Sequence, residues 1–81
     1  MTNRVKLRLL LLDVFLLEPD EFHWDLLRKD VETWDSLGLL SMAVGVQESF
    51  GYHFSADEAN SIKSVQDIIK ILSVNGISFE E

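Results

Sequence analysis

Cysteine is absent from this chain of 81 residues, which removes disulfides, a thiolate nucleophile and any cysteine-type zinc site, and is compatible with a cytoplasmic setting. Histidine is scarce. His23 and His53 are the only two, and neither has a companion at metal-ligand spacing, so no metal site is expected. No carboxylate pair, cysteine–histidine pair or glycine-rich phosphate loop stands out, so the sequence gives no sign of catalytic chemistry. Basic residues are also few: 7 Lys and Arg against 14 Asp and Glu leave a net charge of −7. That sign repels nucleic acid and anionic membrane surfaces and favours basic protein partners. Long apolar runs are missing too. The stretch Leu9 to Leu17 is broken by Asp13, is too short to span a bilayer and has no small-residue cleavage site after it, so it reads as a buried first helix rather than a leader or an anchor.

What is present fits one small domain, 1–81, near the size at which every element must contribute to a single core. Charge is segregated along it. Residues 1–12 carry only Arg4, Lys6 and Arg8. Residues 13–35 hold Asp13, Glu18, Asp20, Glu21, Asp25, Asp30, Glu32 and Asp35 against Arg28 and Lys29.

The first helix is expected over about 3–17, capped by Thr2 or Asn3, ended by Glu18-Pro19-Asp20, and apolar along Val5, Leu9, Leu12 and Leu16. From Pro19 to Asp35 no long period is visible beyond a possible turn at Glu21 to Leu27, and a connection of that length in so small a domain suggests a function. A second helix is expected over 36–50, with Gly51 as its C-cap and Phe54 turned inward after it. Ser55-x-x-Glu58 has capping-box spacing and opens a short helix over about 56–61. Ser64 caps the last, about 65–74, whose apolar face is Val65, Ile68, Ile69 and Leu72. Gly76 closes it, and Ile77 to Glu81 reads as a loose tail. With no strand alternation and no repeat, the expected fold is all-α: a four-helix bundle of three longer helices and one short one, with a long loop between the first two.

The second helix carries two apolar stripes. At about 100° per residue, Leu39, Met42, Ala43, Val46 and Phe50 share the core side, while Leu37, Leu40 and Val44 lie roughly 130° away. A small bundle cannot easily bury both, and the reading adopted is that the loop, through Phe22, Trp24, Leu26, Leu27 and Val31, partly covers the second stripe. Gly38 and Gly45 share one face, where Gly38 could admit a close approach by a ligand or partner or could equally reflect a relaxed surface. Trp24 and Trp34 are expected to anchor the loop. At the head of this helix Trp34-Asp35-Ser36-Leu37 places a hydroxyl where the backbone amides lack intrahelical acceptors and the helix dipole is positive, a favourable field for a phosphodiester. An Asp-Ser pair is also what an ordinary helix cap looks like.

Asp35-Ser36-Leu37, followed by Glu48-Ser49-Phe50-Gly51, Phe54, Asp57-Glu58, Ile62, Ser64-Val65 and Asp67-Ile68-Ile69, resembles the acyl carrier protein family over roughly residues 30–74. The downstream spacing makes the likeness specific where the tripeptide alone would not. The resemblance implies a carrier without catalysis of its own, in which Ser36, flanked by Asp35 and Leu37, receives a 4′-phosphopantetheine arm from coenzyme A. The implied partners are a phosphopantetheinyl transferase, an acyl-loading ligase or acyltransferase, and downstream synthase enzymes, with the carrier itself a cytoplasmic monomer. Carriers of fatty acid synthesis usually line this helix with several acids, whereas here it offers only Glu48. Leu37, Leu40, Val44 and Glu48 are therefore the expected partner-binding residues, and a dedicated polyketide, peptide or specialised lipid pathway is favoured over general fatty acid biosynthesis. The competing reading is an unmodified protein of the same fold that binds another subunit through the Leu37/Leu40/Val44 stripe.

Overall fold

The computed structural model describes residues 1–80 and contains four α-helices: α1 (Asn3–Val14), α2 (Ser36–Phe50), α3 (Ala56–Ser61) and α4 (Val65–Val74). No strand occurs among the described residues. No helix there is long and apolar enough to cross a membrane. The protein is a small helical bundle with a long loop between α1 and α2, held by one cluster of buried side chains drawn from all the longer helices, the loop and the C-terminal segment.

Thr2 caps α1, its hydroxyl accepting from the Val5 amide at 3.2 Å. The helix ends at Val14, short of the expected Leu17, because the chain folds back before proline is reached. Leu16 takes the left-handed conformation with φ 55°, and the Leu17 amide donates to the Leu12 carbonyl at 2.9 Å. This is the helix-terminating turn in which glycine usually supplies the left-handed residue. A leucine there costs roughly 1–2 kcal/mol of backbone strain. The turn drives Phe15 inward, 1% exposed, and leaves Leu16 78% exposed.

The buried face of α1 also differs from the expected one. Leu7, Leu11 and Phe15 are in the core, with Leu10 and Val14 packed against it, while Val5, Leu9 and Leu16 face outward. Four consecutive leucines at 9–12 make the apolar pattern nearly degenerate in rotation. Two tertiary contacts favour the observed phase: the stacking of Phe15 on Trp34, with centroids 4.6 Å apart, and the seating of Leu10 against Gly45 of α2.

The loop is tied at both ends. Thr33 Oγ1 donates to the Phe15 carbonyl at 2.6 Å, and Trp34 is buried against Phe15. On the other side the Arg28 amide donates to the Lys63 carbonyl at 2.8 Å and the Val65 amide to the Leu26 carbonyl at 3.0 Å, a short bridge to the start of α4. In place of the turn expected over Glu21 to Leu27, single 3₁₀ turns form at Pro19–Glu21 and Arg28–Asp30. Trp24 anchors differently from Trp34: Arg4 lies over its ring at 5.0 Å, and its carbonyl accepts from Gln66.

The second half follows local chemistry closely. Gly51 caps α2 with φ 74°, Ser55 and Glu58 form a reciprocal capping box, and Ser64 accepts from the Asp67 amide at 3.1 Å. Val65, Ile68, Ile69 and Leu72 are all buried. The C-terminal segment is not a loose tail. Phe79 is 2% exposed beside Phe50, and Arg4 Nε donates to its carbonyl at 2.7 Å. Glu81, the last residue of the expected tail, lies outside the described residues.

Candidate functional site

The loop delivers Trp34 into the core and so fixes where α2 begins. Asp35 is the N-cap: its Oδ1 accepts from the Gly38 amide at 2.9 Å, satisfying one of the donors that a helix start leaves unpaired. Ser36 is the first helical residue and is exposed, and its hydroxyl makes no hydrogen bond among the described residues. Capping and availability thus fall to different residues. Ser36 is not the cap, and its oxygen projects at the positive end of the fifteen-residue α2.

Gly38, two residues on, has a steric reason that the sequence could not reveal. A Cβ there would collide with the Thr33 carbonyl oxygen and lie 3.4 Å from the Phe15 ring. The glycine is buried and lets the loop pass close to the helix; it is neither a surface position nor an opening for a ligand.

From Ser36 an open groove of about 460 Å³ runs between α2 and α3. Leu39, Ala43, Phe54 and Ala59 give it an apolar lining, and Arg28, Gln47, His53 and Asn60 supply polar groups. Ala43, expected on the core side of α2, is half-buried in this lining. The α3 wall is held by Tyr52, whose hydroxyl donates to Glu58 Oε1 and Oε2 at 2.7 and 2.8 Å. Hydrogen bonding from the Ser55 amide, followed by that from Tyr52, keeps the Glu58 carboxyl below its usual pKa. The bond to Glu58 pushes the Tyr52 phenol above its own. His53 is exposed, with Nδ1 2.9 Å from Gln47 Oε1. Among the described residues no cluster of three or more His, Asp or Glu could hold a metal ion.

Leu37, Leu40 and Val44 are 72%, 61% and 47% exposed, and Leu40 and Val44 form the edge shared by this groove and a depression on the other flank of α2. The loop does not cover them as expected. Its Leu26 and Val31 belong to the core, and Phe22 packs edge-on against Trp24. Glu48 is exposed and lines a shallow depression with Leu40, Val44, Leu10 and Asp13. The neighbouring dent that contains Asp35 and Leu37 also includes Leu16. The apolar period of α1 puts Leu16 on a buried helical face, and only its left-handed backbone turns it outward. Arg28, in both the Ser36 groove and an adjoining cleft, carried no local sequence signal beyond its charge.

Comparison with known proteins gives the site its context. An acyl carrier protein from Coprothermobacter proteolyticus is 39% identical over 41 residues, covering 51% of this chain. The chain resembles an acyl carrier protein. The match spans about half the length of that relative, 50%, and no family model matches the chain. The likeness is to a carrier rather than to a catalyst, in keeping with the family resemblance read from the sequence. In the fold the long loop leads into Asp35-Ser36-Leu37 at the head of α2.

Proposed function

We propose that this protein is an acyl carrier, acting as one monomeric domain in the cytoplasm, whose Ser36 bears a 4′-phosphopantetheine arm. The observation that carries the reading is the exposed, unbonded Ser36 hydroxyl at the start of α2, with the capping bond made by Asp35 instead. The arm supplies a terminal thiol on which acyl groups are held as thioesters. The chain itself keeps the attachment oxygen accessible, surrounds it with helix-terminal amides and offers surfaces on which enzymes dock. Tethering raises the local concentration of the acyl group at each docked enzyme, so individual contacts can stay weak and reversible.

Docking by Leu37, Leu40, Val44 and Glu48 combines an apolar ridge with acidic surroundings from Asp13 and Asp35. The partners proposed for this face are a phosphopantetheinyl transferase, an acyl-loading ligase or acyltransferase, and downstream synthase enzymes. With Glu48 the one carboxylate on α2, a dedicated polyketide, peptide or specialised lipid pathway fits better than general fatty acid synthesis. The groove beside Ser36 is open, so it offers an arm or acyl chain a partly sheltered apolar track.

Intact-mass measurement after incubation with coenzyme A and a broad-specificity phosphopantetheinyl transferase tests this. The parent gains one phosphopantetheine group and Ser36→Ala gains none. A folded parent that stays unmodified, beside a control carrier that is modified, refutes the proposal and favours an unmodified binding module using the exposed stripe.

A further inference from the structure

Three of the chain's seven basic residues meet at one place. Arg28, Lys29 and Lys63 line a cleft of about 500 Å³ together with Leu27 and Trp34. None of the three side chains pairs with a carboxylate among the described residues, although Asp67 Oδ2 accepts from the Lys63 backbone amide at 2.9 Å and acids outnumber bases in the chain by two to one. Uncompensated cations gathered on so acidic a protein mark a local demand for an anion.

Arg28 connects this cleft to the attachment site, because it also lines the groove that begins at Ser36. Its position is fixed twice. Its backbone amide donates to the Lys63 carbonyl at 2.8 Å, and its side-chain Nε donates to the Trp34 carbonyl at 3.0 Å. That arrangement leaves the terminal guanidinium nitrogens without a hydrogen-bond partner among the described residues. A side chain already held in place loses less freedom when it binds, and guanidinium geometry suits phosphate oxygens.

The anion in question follows from the proposed function, on which this inference rests. A phosphodiester on Ser36 adds a negative charge directly after Asp35, in a chain whose net charge is already −7. The amides at the head of α2 offset part of that repulsion. We infer that Arg28 is the anion-binding residue of the attachment site, pairing its guanidinium with the Ser36-linked phosphodiester while Lys29 and Lys63 raise the surrounding positive potential.

The test compares apo and phosphopantetheine-bearing protein for the parent, Arg28→Gln and, as a control on an exposed α4 cation outside both pockets, Lys70→Gln. Intact mass first establishes that the arm is attached. At low salt, Arg28→Gln is expected to lower the Tm difference between modified and apo forms by on the order of 3 °C, with Lys70→Gln leaving it unchanged and high salt shrinking the parent's difference. In the parent, the Arg28 Nε–H resonance is expected to shift on modification. That measurement stands even where Arg28→Gln fails to fold. Attachment of the arm with an unmoved Arg28 resonance and a Tm difference independent of Arg28 overturns the inference and leaves the carrier reading intact. Failure of the arm to attach to folded parent overturns both.

Discussion

Gly38 and Gly45 look alike in the sequence, seven residues apart on one helix, and the fold treats them differently. A methyl group at Gly38 meets the Thr33 backbone, which cannot move without disturbing the Thr33 bond to Phe15, whereas at Gly45 it meets the flexible end of Leu10. Alanine gains about 1 kcal/mol of helix propensity at either position. Overpacking costs typically 1–3 kcal/mol where nothing can yield. Gly38→Ala is therefore expected to destabilise by up to about 2 kcal/mol and Gly45→Ala to fall within about 1 kcal/mol of neutral. Urea unfolding of both variants checks the ordering, and equal effects would contradict it. A similar contrast separates Gly76 from Leu16. Both take left-handed φ at helix ends, 90° and 55°, but only glycine announces such a turn in a sequence.

Among the elements, α2 was the most legible, because its core stripe and its C-cap glycine follow from local rules. Its second stripe was legible as apolar but not as exposed, since that depended on where the loop went. Leu40, at 61% exposure, now has a clear expectation: Leu40→Asp alters stability by no more than about 0.5 kcal/mol and lowers the rate of arm or acyl transfer by partner enzymes. Loss of the helical circular dichroism signal in that variant would show Leu40 to be structural. The α2–α3 crossing carries a pH dependence through Tyr52 and Glu58. Glu58 has a depressed folded pKa, so its contribution is present above its unfolded pKa and is lost as pH falls through the folded value. Tyr52 has a raised folded pKa, so its contribution is complete below its unfolded pKa and is lost as pH rises through the folded value. Tyr52→Phe is accordingly less stable than the parent at neutral pH, with the gap narrowing at both the acid and the alkaline extreme. Denaturant midpoints across pH would expose a constant gap, which this account forbids.

For the whole molecule, the decisive contacts are those that close the bundle across the sequence. Asn3 Nδ2 donates to the Ser78 carbonyl and Arg4 to that of Phe79, joining the two ends of the chain, and Phe79 completes the core beside Phe50. Phe79→Ala is expected to cost about 3 kcal/mol, a large share of the stability of so small a domain, and calorimetry should show a clear fall in Tm. A change under about 0.5 kcal/mol would mean that this segment behaves as a tail after all.

The sequence by itself determined the helical class, the boundaries of α2, α3 and α4, and the residues at the head of α2, because caps, apolar period and turn glycines act over a few neighbouring residues. It also carried the resemblance to acyl carrier proteins, through the spacing that follows Asp35-Ser36-Leu37. Only the tertiary structure decided the rotation of α1, the burial of Phe79, the outward turn of Leu16 and the division of labour between Asp35 and Ser36. In the first three, alternatives close in local energy were separated by packing against residues distant in the chain. In the last, both residue types can cap a helix, and the path of the loop through Thr33 and Trp34 set which of them stood one step before it.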